Sequence, residues 1–330
     1  AAGDRMIYKF LVFNPTSNTL YDYAPIVQEV SYTTNRIGSA GKLEFSYIQD
    51  QPINMEEGVR VEFYVDGKGI FLGYVFAIKQ SRNGEISVTA YDQIRYLKSK
   101  ASYSFAGKKS GDIIRQIAMD MQLQVGVLED TGYTIPVYTK EDKERLDIID
   151  YSLMITQNNT GKTFVFYDDF GKLCLREAKN LMSNVMIGNR SIVTDYTFKS
   201  DIDSDTYNRV KLVRPNKDTG QADTYIFQDS DNIKKWGILE LYEKVDENLN
   251  EAQINQQGNI MMAYYDRALK SISVSGAPGV IGLKAGAMTM FKIADVPELK
   301  NGYFLLLDKV KHKFRNDDHT MDVDAKILTI

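Results

Sequence analysis

Two short motifs in this sequence resemble ligand-binding loops. The first, Thr160-Gly161-Lys162-Thr163, matches the end of a phosphate-binding P-loop. Such a loop also needs a glycine five residues before Gly161 and a helix that begins after it, so that backbone amides surround the phosphate. Thr156 occupies the glycine position, and the residues from Phe164 onward alternate as in a β-strand. We therefore expect no nucleotide site here.

The second motif is Asp201, Asp203 and Asp205, which have the spacing of the first three ligands of a calcium loop. That loop requires glycine at its sixth position and a bidentate glutamate at its twelfth. These positions hold Thr206 and Leu212. The segment is therefore predicted to be a solvated acidic entry to a strand.

His312 and His319 are the only histidines, and they lie on either side of a polar turn at 316–318. They could face each other across a hairpin. A metal site would need third and fourth ligands, and no cysteine or further histidine is close in sequence. We favour a structural hydrogen-bonding role for this pair over a ligand role.

No arrangement of Ser, His and Asp, or of Cys and His, suggests nucleophilic catalysis. Cys174 is the only cysteine, so a disulfide within the chain is excluded, and its apolar surroundings predict a buried small hydrophobe. The sequence predicts no catalytic, cofactor-binding or metal-binding residue and no cofactor. An enzyme is not expected.

Composition is that of a globular protein of several domains. The chain has 330 residues, 43% of them hydrophobic and 25% charged, which argues against wholesale disorder and for two or three domains. A net charge of -4 argues against a dedicated nucleic-acid binder. No apolar run approaches the roughly 20 residues that span a bilayer, so no membrane-spanning segment is expected.

Residues 1–96 are predicted to be a compact β domain. Alternating strands such as Val59–Val65 and Ile86–Ala90 are separated by turn signals, among them Asp66-Gly67. Residues 97–192 are predicted to be a mixed α/β region. It has a helix capped by Ser110, a second helix from Arg145 to Ile155 and then a hairpin.

Residues 193–330 are predicted to be a second β domain with an inserted helix at about 252–272. It contains a hairpin of Tyr207–Val213 and Ala222–Phe227. Trp236 follows this hairpin, and it is either an interface anchor or a core tryptophan that closes a loop. The apolar residues after Gly237 favour the core interpretation.

The end of the chain repeats a pattern from its beginning. In 58–90 and in 286–325, a glycine precedes a strand, a glycine and an aromatic residue open the next strand, and an alternating third strand follows a polar turn. Antiparallel strands in general resemble each other, so the pattern alone leaves a chance likeness open. A duplication predicts that Gly58 corresponds to Gly286 and Phe71 to Phe304.

Several segments resemble one known family. Asp203–Asn208, Thr219-Gly220, Lys235-Trp236-Gly237 and Tyr91–Lys98 are similar to the XkdQ/YqbQ proteins of PBSX-like prophages, which are hub proteins of contractile phage tails. That family is related to the myophage baseplate hub and the late control D proteins. The resemblance covers most of the chain and departs from the family at 274–287.

The resemblance implies a mainly β fold with an α+β insertion, namely two tail-tube-like β-barrel or sandwich domains and a mixed α/β middle region. It implies a homotrimer that forms a pseudo-six-fold ring in the tail baseplate, between the tail tube protein and the central spike protein. Other baseplate proteins and the tape measure protein are further expected partners, and DNA is expected only in passage through the channel of a true phage. The protein is expected in the virion or a genome-free, phage-tail-like bacteriocin, after synthesis in the host cytoplasm.

Two other classes of function remain open from the residues alone. A peptidoglycan- or carbohydrate-binding module could use the many tyrosines, and a tail-associated hydrolase would need a catalytic constellation. The segments that resemble the family contain the candidate structural or interface residues, which are Tyr207, Asn208, Trp236, Gly237, His312 and His319.

Overall fold

A computed structural model of the protein describes residues 5–49, 55–188 and 195–328. The first part of the chain is all β, as the alternating sequence predicts. Its strands are β1 (Tyr8–Asn14), β2 (Thr19–Asp22), β3 (Val27–Asn35), β4 (Lys42–Ile48), β5 (Arg60–Val65), β6 (Lys68–Gln80) and β7 (Glu85–Tyr91). Buried side chains from β1 and β3 to β7 meet in one core, so the sheet curls around it.

The middle region is mixed α/β. It comprises a 3-10 helix (Gln93–Lys98), β8 (Lys100–Lys108), α1 (Ser110–Asp120), β9 (Val125–Leu128), β10 (Ile135–Glu144), α2 (Arg145–Thr160), β11 (Phe164–Asp168) and β12 (Leu173–Glu177). Both predicted helices and the hairpin β11–β12 are present. Ser110 is the first residue of α1 and not its cap, because its side chain is buried against Ser152 (Oγ to Oγ, 3.0 Å).

The remainder of the chain contains a β portion and an insertion. Its elements are a 3-10 helix (Ala178–Asn180), β13 (Met182–Gly188), β14 (Asp195–Asp201), β15 (Arg209–Pro215), β16 (Ala222–Gln228), α3 (Ser230–Trp236), β17 (Glu240–Lys244), α4 (Glu251–Tyr265), β18 (Leu269–Pro278), β19 (Met288–Lys292), a 3-10 helix (Pro297–Leu299), β20 (Tyr303–Arg315) and β21 (Asp318–Ile327). β15 and β16 form the predicted hairpin.

The predicted helix at 252–272 is too long at its C-terminal end. The helix α4 ends at Tyr265, and Leu269 already begins β18. The physical reason is a change of period, because Ile272 and Val274 are buried while the residue between them is exposed. The insertion is also larger than a helix. The insertion runs from β15 to α4. In it β15, β16 and β17 form a three-stranded sheet, and α4 packs on this sheet and completes a separate core.

Two units of five strands share the same strand order in the main sheet. The first unit has the order β3-β4-β7-β6-β5, and the second has β14-β18-β21-β20-β19. The two units are joined edge to edge inside the chain, because β3 of the first unit pairs with β20 of the second. At the outer side of β5 and β19 the units differ, since β1 pairs antiparallel with β5 whereas β13 pairs parallel with β19.

The long middle strands of the two units carry a β-bulge at the same place. β6 and β20 each have 13 residues. Val75 of β6 pairs with Ala90 of β7, and the next residue, Phe76, has no partner in this ladder. Leu307 of β20 likewise pairs with Ala325 of β21, and the next residue, Asp308, has no partner in that ladder. A bulge is a specific local feature, so its repetition argues for duplication and not for chance likeness.

The bulges also correct one predicted correspondence. Phe71 pairs with Phe63, and Tyr303 pairs with Phe291 at the same point of the second unit. Phe71 therefore corresponds to Tyr303, one residue from the predicted Phe304. The cause is a further register shift between β5 and β6 that the second unit lacks.

Candidate interaction surfaces

Asn208 and Gly237 have a structural role within the insertion. Asn208 is completely buried directly before β15. Its Nδ2 donates to the carbonyl oxygen of Gly237 at 2.7 Å, and its Oδ1 accepts from the amide of Leu239 at 2.9 Å. Gly237 ends α3 with φ of 77°, a left-handed conformation that favours glycine. The pair fixes the connection between α3 and β17.

Tyr207 and Trp236 lie nearer the surface. The ring of Tyr207 packs edge to face on Tyr265, with 5.4 Å between the centroids. Trp236 is the last residue of α3, a helix in which no residue is fully buried, and the Nζ of Lys235 lies 5.4 Å from its ring centroid. Trp236 is partly buried and lies outside the buried core of the insertion, so its role as an interface anchor or as a core tryptophan stays a prediction.

The outer face of the insertion carries an apolar row that the sequence analysis did not identify. Ile226 and Tyr242 both pair with Lys211, on opposite sides of β15, so the three side chains lie next to each other. Ile226 is 56% exposed and Tyr242 is 57% exposed, and Ile238 nearby is 53% exposed. Large apolar side chains at the outward positions of alternating strands were the available signal.

His312 and His319 form a hydrogen-bonded pair on β20 and β21. The Nδ1 of His312 lies 2.9 Å from the Nε2 of His319, and the Nε2 of His312 lies 2.6 Å from the carbonyl oxygen of Leu283. A carbonyl oxygen only accepts, so Nε2 of His312 carries its proton. The Nδ1 of neutral His312 then accepts from Nε2–H of His319. The geometry assigns both tautomers.

The surroundings of the two histidines favour their neutral forms. His312 is buried, and burial lowers its pKa. Burial, and to a smaller extent the neighbouring His312, lowers the pKa of His319 to about 4. His319 also stacks on Phe314 with 4.0 Å between the centroids. The pair therefore acts as a neutral polar link between the β20–β21 hairpin and the segment around Leu283.

The two motifs that resemble ligand loops have local structural roles. Gly161 ends α2 with φ of 73°, and β11 begins three residues later, so no helix follows the P-loop-like sequence. Asp201 Oδ1 accepts from the amides of Asp203 and Ser204, at 3.0 Å each. This carboxylate therefore stabilises a turn. Cys174 is buried, as predicted.

Two buried carboxylates, Asp92 and Asp168, are engaged with backbone amides. Asp92 Oδ2 accepts from the amide of Gly41 at 2.8 Å, and Asp168 Oδ1 accepts from the amide of Gly171 at 2.8 Å. Burial raises the pKa of Asp92 well above its usual value, and burial raises the pKa of Asp168 to about 6. With Asp92 only 4% exposed, this pair stabilises turns and is closed to a polymeric substrate.

Neither a metal cluster nor a bilayer-spanning helix is found within residues 5–49, 55–188 and 195–328. In these ranges no three His, Cys, Asp or Glu side chains are grouped as metal ligands would be. Their helices are also too short or too polar to cross a bilayer.

Comparison with known proteins shows one family and one fold. A family model described as YQBQ-like matches residues 30–326. YqbQ of Bacillus subtilis (strain 168) is 33% identical over 277 residues, which is 82% of this chain and 82% of that protein. XkdQ of the phage-like element PBSX of the same organism is 28% identical over 310 residues, 91% of this chain and 92% of its own length.

The fold is also that of a solved phage protein. The crystal structure of a 43 kDa tail protein of prophage MuSo2 from Shewanella oneidensis matches with a TM-score of 0.70 over 97% of this chain and 98% of that one. The two sequences are 11% identical, so this likeness concerns the fold alone.

Proposed function

The chain belongs to the YQBQ-like family, and from this premise we propose that it is the structural hub of a contractile tail baseplate. In this proposal three chains form a ring that joins the tail tube to the central spike. The tail is that of a phage or of a genome-free, phage-tail-like bacteriocin. The role is structural and involves no catalytic turnover.

The observation that carries the proposal is the duplicated strand unit. A single chain holds two units with the same strand order and the same bulge, joined edge to edge through β3 and β20. Repetition of such a head-to-tail joint generates a ring when its rotation closes. Three chains with two units each then offer six similar positions to a six-fold tube. A monomeric binding module gains nothing from this duplication.

The parts of the chain outside the two units suit contacts with other baseplate proteins. The middle region and the insertion β15–α4 have cores of their own, and we place them outside or below the ring. The row formed by Ile226, Lys211 and Tyr242 faces outward from the insertion. We propose 1–96, 97–192 and 193–330 as the domain boundaries of this arrangement.

Affinity purification tests the proposal. A tag on this chain should recover whole tail particles from induced cells, with the tag at the end of the tube in electron micrographs. The purified chain should release no sugar or peptide from isolated cell walls. Recovery of the chain free of tail proteins, or turnover of cell wall that one point substitution abolishes, would overturn the proposal.

A further inference from the structure

Each strand unit has two edges at which a further strand can pair. Inside the chain, one edge of the first unit pairs with one edge of the second unit. Residues 309–314 of β20 pair with β3, the first strand of the first unit. The corresponding part of β6, Ala77–Gln80, pairs only with β7 in the described part of the chain. The strand β14 corresponds to β3, and it pairs only with β18 among the described residues. Within residues 5–49, 55–188 and 195–328, one such joint is therefore made, and both halves of a second joint are open.

The ladders fix which residues of the two open edges are equivalent to those of the closed joint. Ala77 follows the bulge of β6 as Lys309 follows the bulge of β20. Ile78 therefore corresponds to Val310, and Gln80 corresponds to His312.

The ladder partners of β3 and β14 show in the same way which residues of these two strands are equivalent. Tyr32 pairs with Leu43, which pairs with Ala90. Phe198 pairs with Ile272, which pairs with Ala325. Since Ala90 and Ala325 are equivalent, Phe198 corresponds to Tyr32. Two residues further on, Ser200 corresponds to Thr34.

We propose that a second copy of this chain occupies the open edge, with its β14 antiparallel to Ala77–Gln80 of β6. The closed joint pairs Val310 with Thr34 and His312 with Tyr32. The open joint then pairs Ile78 with Ser200 of the neighbouring chain, and Gln80 with its Phe198. This inference rests on the proposed ring and specifies its strands and their register.

The closed joint is stabilised by charges. Arg36 Nε lies 2.7 Å from Asp308 Oδ1, and the amide of Arg36 donates to the carbonyl oxygen of Asp308 at 2.9 Å. Lys326 Nζ lies 3.9 Å from the same carboxylate. Asp308 is the bulged residue of β20, so the ion pairs form where the two units meet.

The equivalent positions of the open joint are apolar or aromatic. Phe76 is the bulged residue of β6 and corresponds to Asp308. Tyr91 follows Ala90 as Lys326 follows Ala325, so Tyr91 corresponds to Lys326. Ile202 lies two residues after Ser200 as Arg36 lies two residues after Thr34, so Ile202 corresponds to Arg36. The ring of Phe76 already packs on Tyr91, with 5.4 Å between the centroids. Phe76 therefore contacts Tyr91 of the same chain in the way that Asp308 contacts Lys326. In the open joint, Ile202 of the neighbouring chain would complete an apolar contact.

This difference makes the two joints non-interchangeable. A joint between two first units would place Arg36 against Phe76, and a joint between two second units would place Ile202 against Asp308. Each mismatch would leave a charge without its partner. Such mismatches oppose wrong association. The sequence at the bulges thus specifies that first and second units alternate around the ring.

One like-charge pair opposes the proposed register, because Lys79 faces Lys199 of the neighbouring chain. Opposed like charges destabilise a sheet. Asp201 offsets this effect, since its Oδ2 lies 3.2 Å from the Nζ of Lys199.

Cysteine pairs test the register in the full-length chain with Cys174→Ser. Facing residues of an antiparallel pair have Cα atoms roughly 4.5–5.5 Å apart, within the range that a disulfide spans. The matched variants are I78C with S200C, and K79C with K199C. The control, I78C with F198C, is two residues out of register. Covalent dimers and trimers should form with both matched pairs and not with the control.

A charge exchange tests the chemistry of the joint in the I78C/S200C background. Ile202→Arg should lower the cross-linked fraction about tenfold or more, because it places a charge without a partner against Phe76. Phe76→Asp should lower it less, because the guanidinium of Arg95 lies 5.2 Å from the ring centroid of Phe76 and can pair with an aspartate there. The double variant should restore cross-linking, since it reproduces the ion pair of Arg36 and Asp308. Thermal melting of each variant separates this effect from unfolding.

The outcomes separate this inference from the proposed function. Equal cross-linking by matched and shifted pairs, no cross-linking in concentrated protein, or no rescue by the double variant would overturn the inference. If tail particles contain the chain at the end of the tube but the matched pairs stay reduced in them, only the register fails. If the matched pairs cross-link but no tail contains the chain, only the proposed function fails.

Discussion

Gly58 and Gly286 occupy the same position in two copies of one strand arrangement. The amide of Gly58 donates to the carbonyl oxygen of Val75 at 2.7 Å, and the amide of Gly286 donates to that of Leu307 at 2.7 Å. Both acceptors directly precede a bulge. Both glycines are in the left-handed region, with φ of 83° and 94°. A contact repeated at this level of detail is what a duplicated unit predicts.

The two glycines should nevertheless differ in their tolerance of alanine. A methyl group at Gly58 would meet no atom within 4 Å, whereas one at Gly286 would lie 2.3 Å from Val165 Cγ1. Gly58→Ala should lower the free energy of unfolding by about 1 kcal/mol, from backbone strain alone. Gly286→Ala should cost about 2 to 4 kcal/mol, because overpacking adds to that strain. Denaturant titration measures both.

Gly111→Ala is the matched control for these variants. Gly111 lies in α1, and a methyl group there would meet only Leu128 Cβ, at 3.9 Å. This change should be neutral or stabilise the protein by up to about 1 kcal/mol. Equal losses for Gly58→Ala and Gly286→Ala would contradict the packing that is described around Val165.

The histidine pair predicts a loss of stability at acid pH. The pKa of His319 is about 4 in the folded chain against an ordinary value of 6.5. Below pH 6.5, His319 of the unfolded chain therefore binds a proton that His319 of the folded chain does not bind. The free energy of unfolding consequently falls as the pH is lowered to about 4. Because His319 is only partly buried and is screened by solvent, we expect this group to contribute about 1 kcal/mol.

His319→Gln isolates this effect, since its amide can still donate to Nδ1 of His312 but does not titrate. Burial raises the pKa of Asp150 to about 7 and that of Asp168 to about 6. These carboxylates stabilise the folded chain as pH falls, which is the opposite sign. They are common to both proteins and cancel in the difference. Identical pH profiles of unfolding for wild type and His319→Gln would contradict the assignment.

Asn208→Ala should destabilise the insertion without changing its surface. The substitution removes both side-chain hydrogen bonds, to Gly237 and from Leu239, and leaves a cavity where the buried Asn208 side chain lies. The expected loss is about 2 to 3 kcal/mol. Limited proteolysis near α3 should accelerate correspondingly. Asp218→Ala is the control, because Asp218 lies in an exposed turn of the same hairpin; an equal effect of the two changes would refute the structural role.

The outer face of the insertion should matter for assembly and not for stability. Ile226→Glu and Tyr242→Glu change exposed side chains, so the free energy of unfolding should shift by less than about 0.5 kcal/mol. The amount of the chain in sedimented tail particles should fall severalfold. Asp218→Ala, in an exposed turn of the same insertion and outside this row, is the control and should leave incorporation unchanged. Full incorporation of both insertion variants would exclude this face as an interface.

Local patterns predicted the elements, and longer-range pairing escaped them. The strands of 58–90 and 286–325 were predictable because their side chains alternate between core and solvent. Pairing of β3 with β20 was not, because the paired residues lie far apart in sequence and no local pattern specifies them. The match of Phe71 with Tyr303 depends on a register shift that alternation does not reveal.

The candidate site shows the same division. The resemblance singles out Asn208 and Gly237 only as candidate structural or interface residues, and the hydrogen bond between them appears only in the structure. The partial burial of Trp236 could not be predicted either, because an apolar sequence around it is compatible with a core helix or a surface helix.

An electron cryo-microscopy map of the intact tail, reconstructed without imposed symmetry at the junction of tube and spike, tests the central claim most directly. We predict three copies of this chain in one ring, with the two strand units alternating at six similar positions under the last tube ring. One copy or six copies per tail, or a ring in which only one of the two units faces the tube, would contradict it.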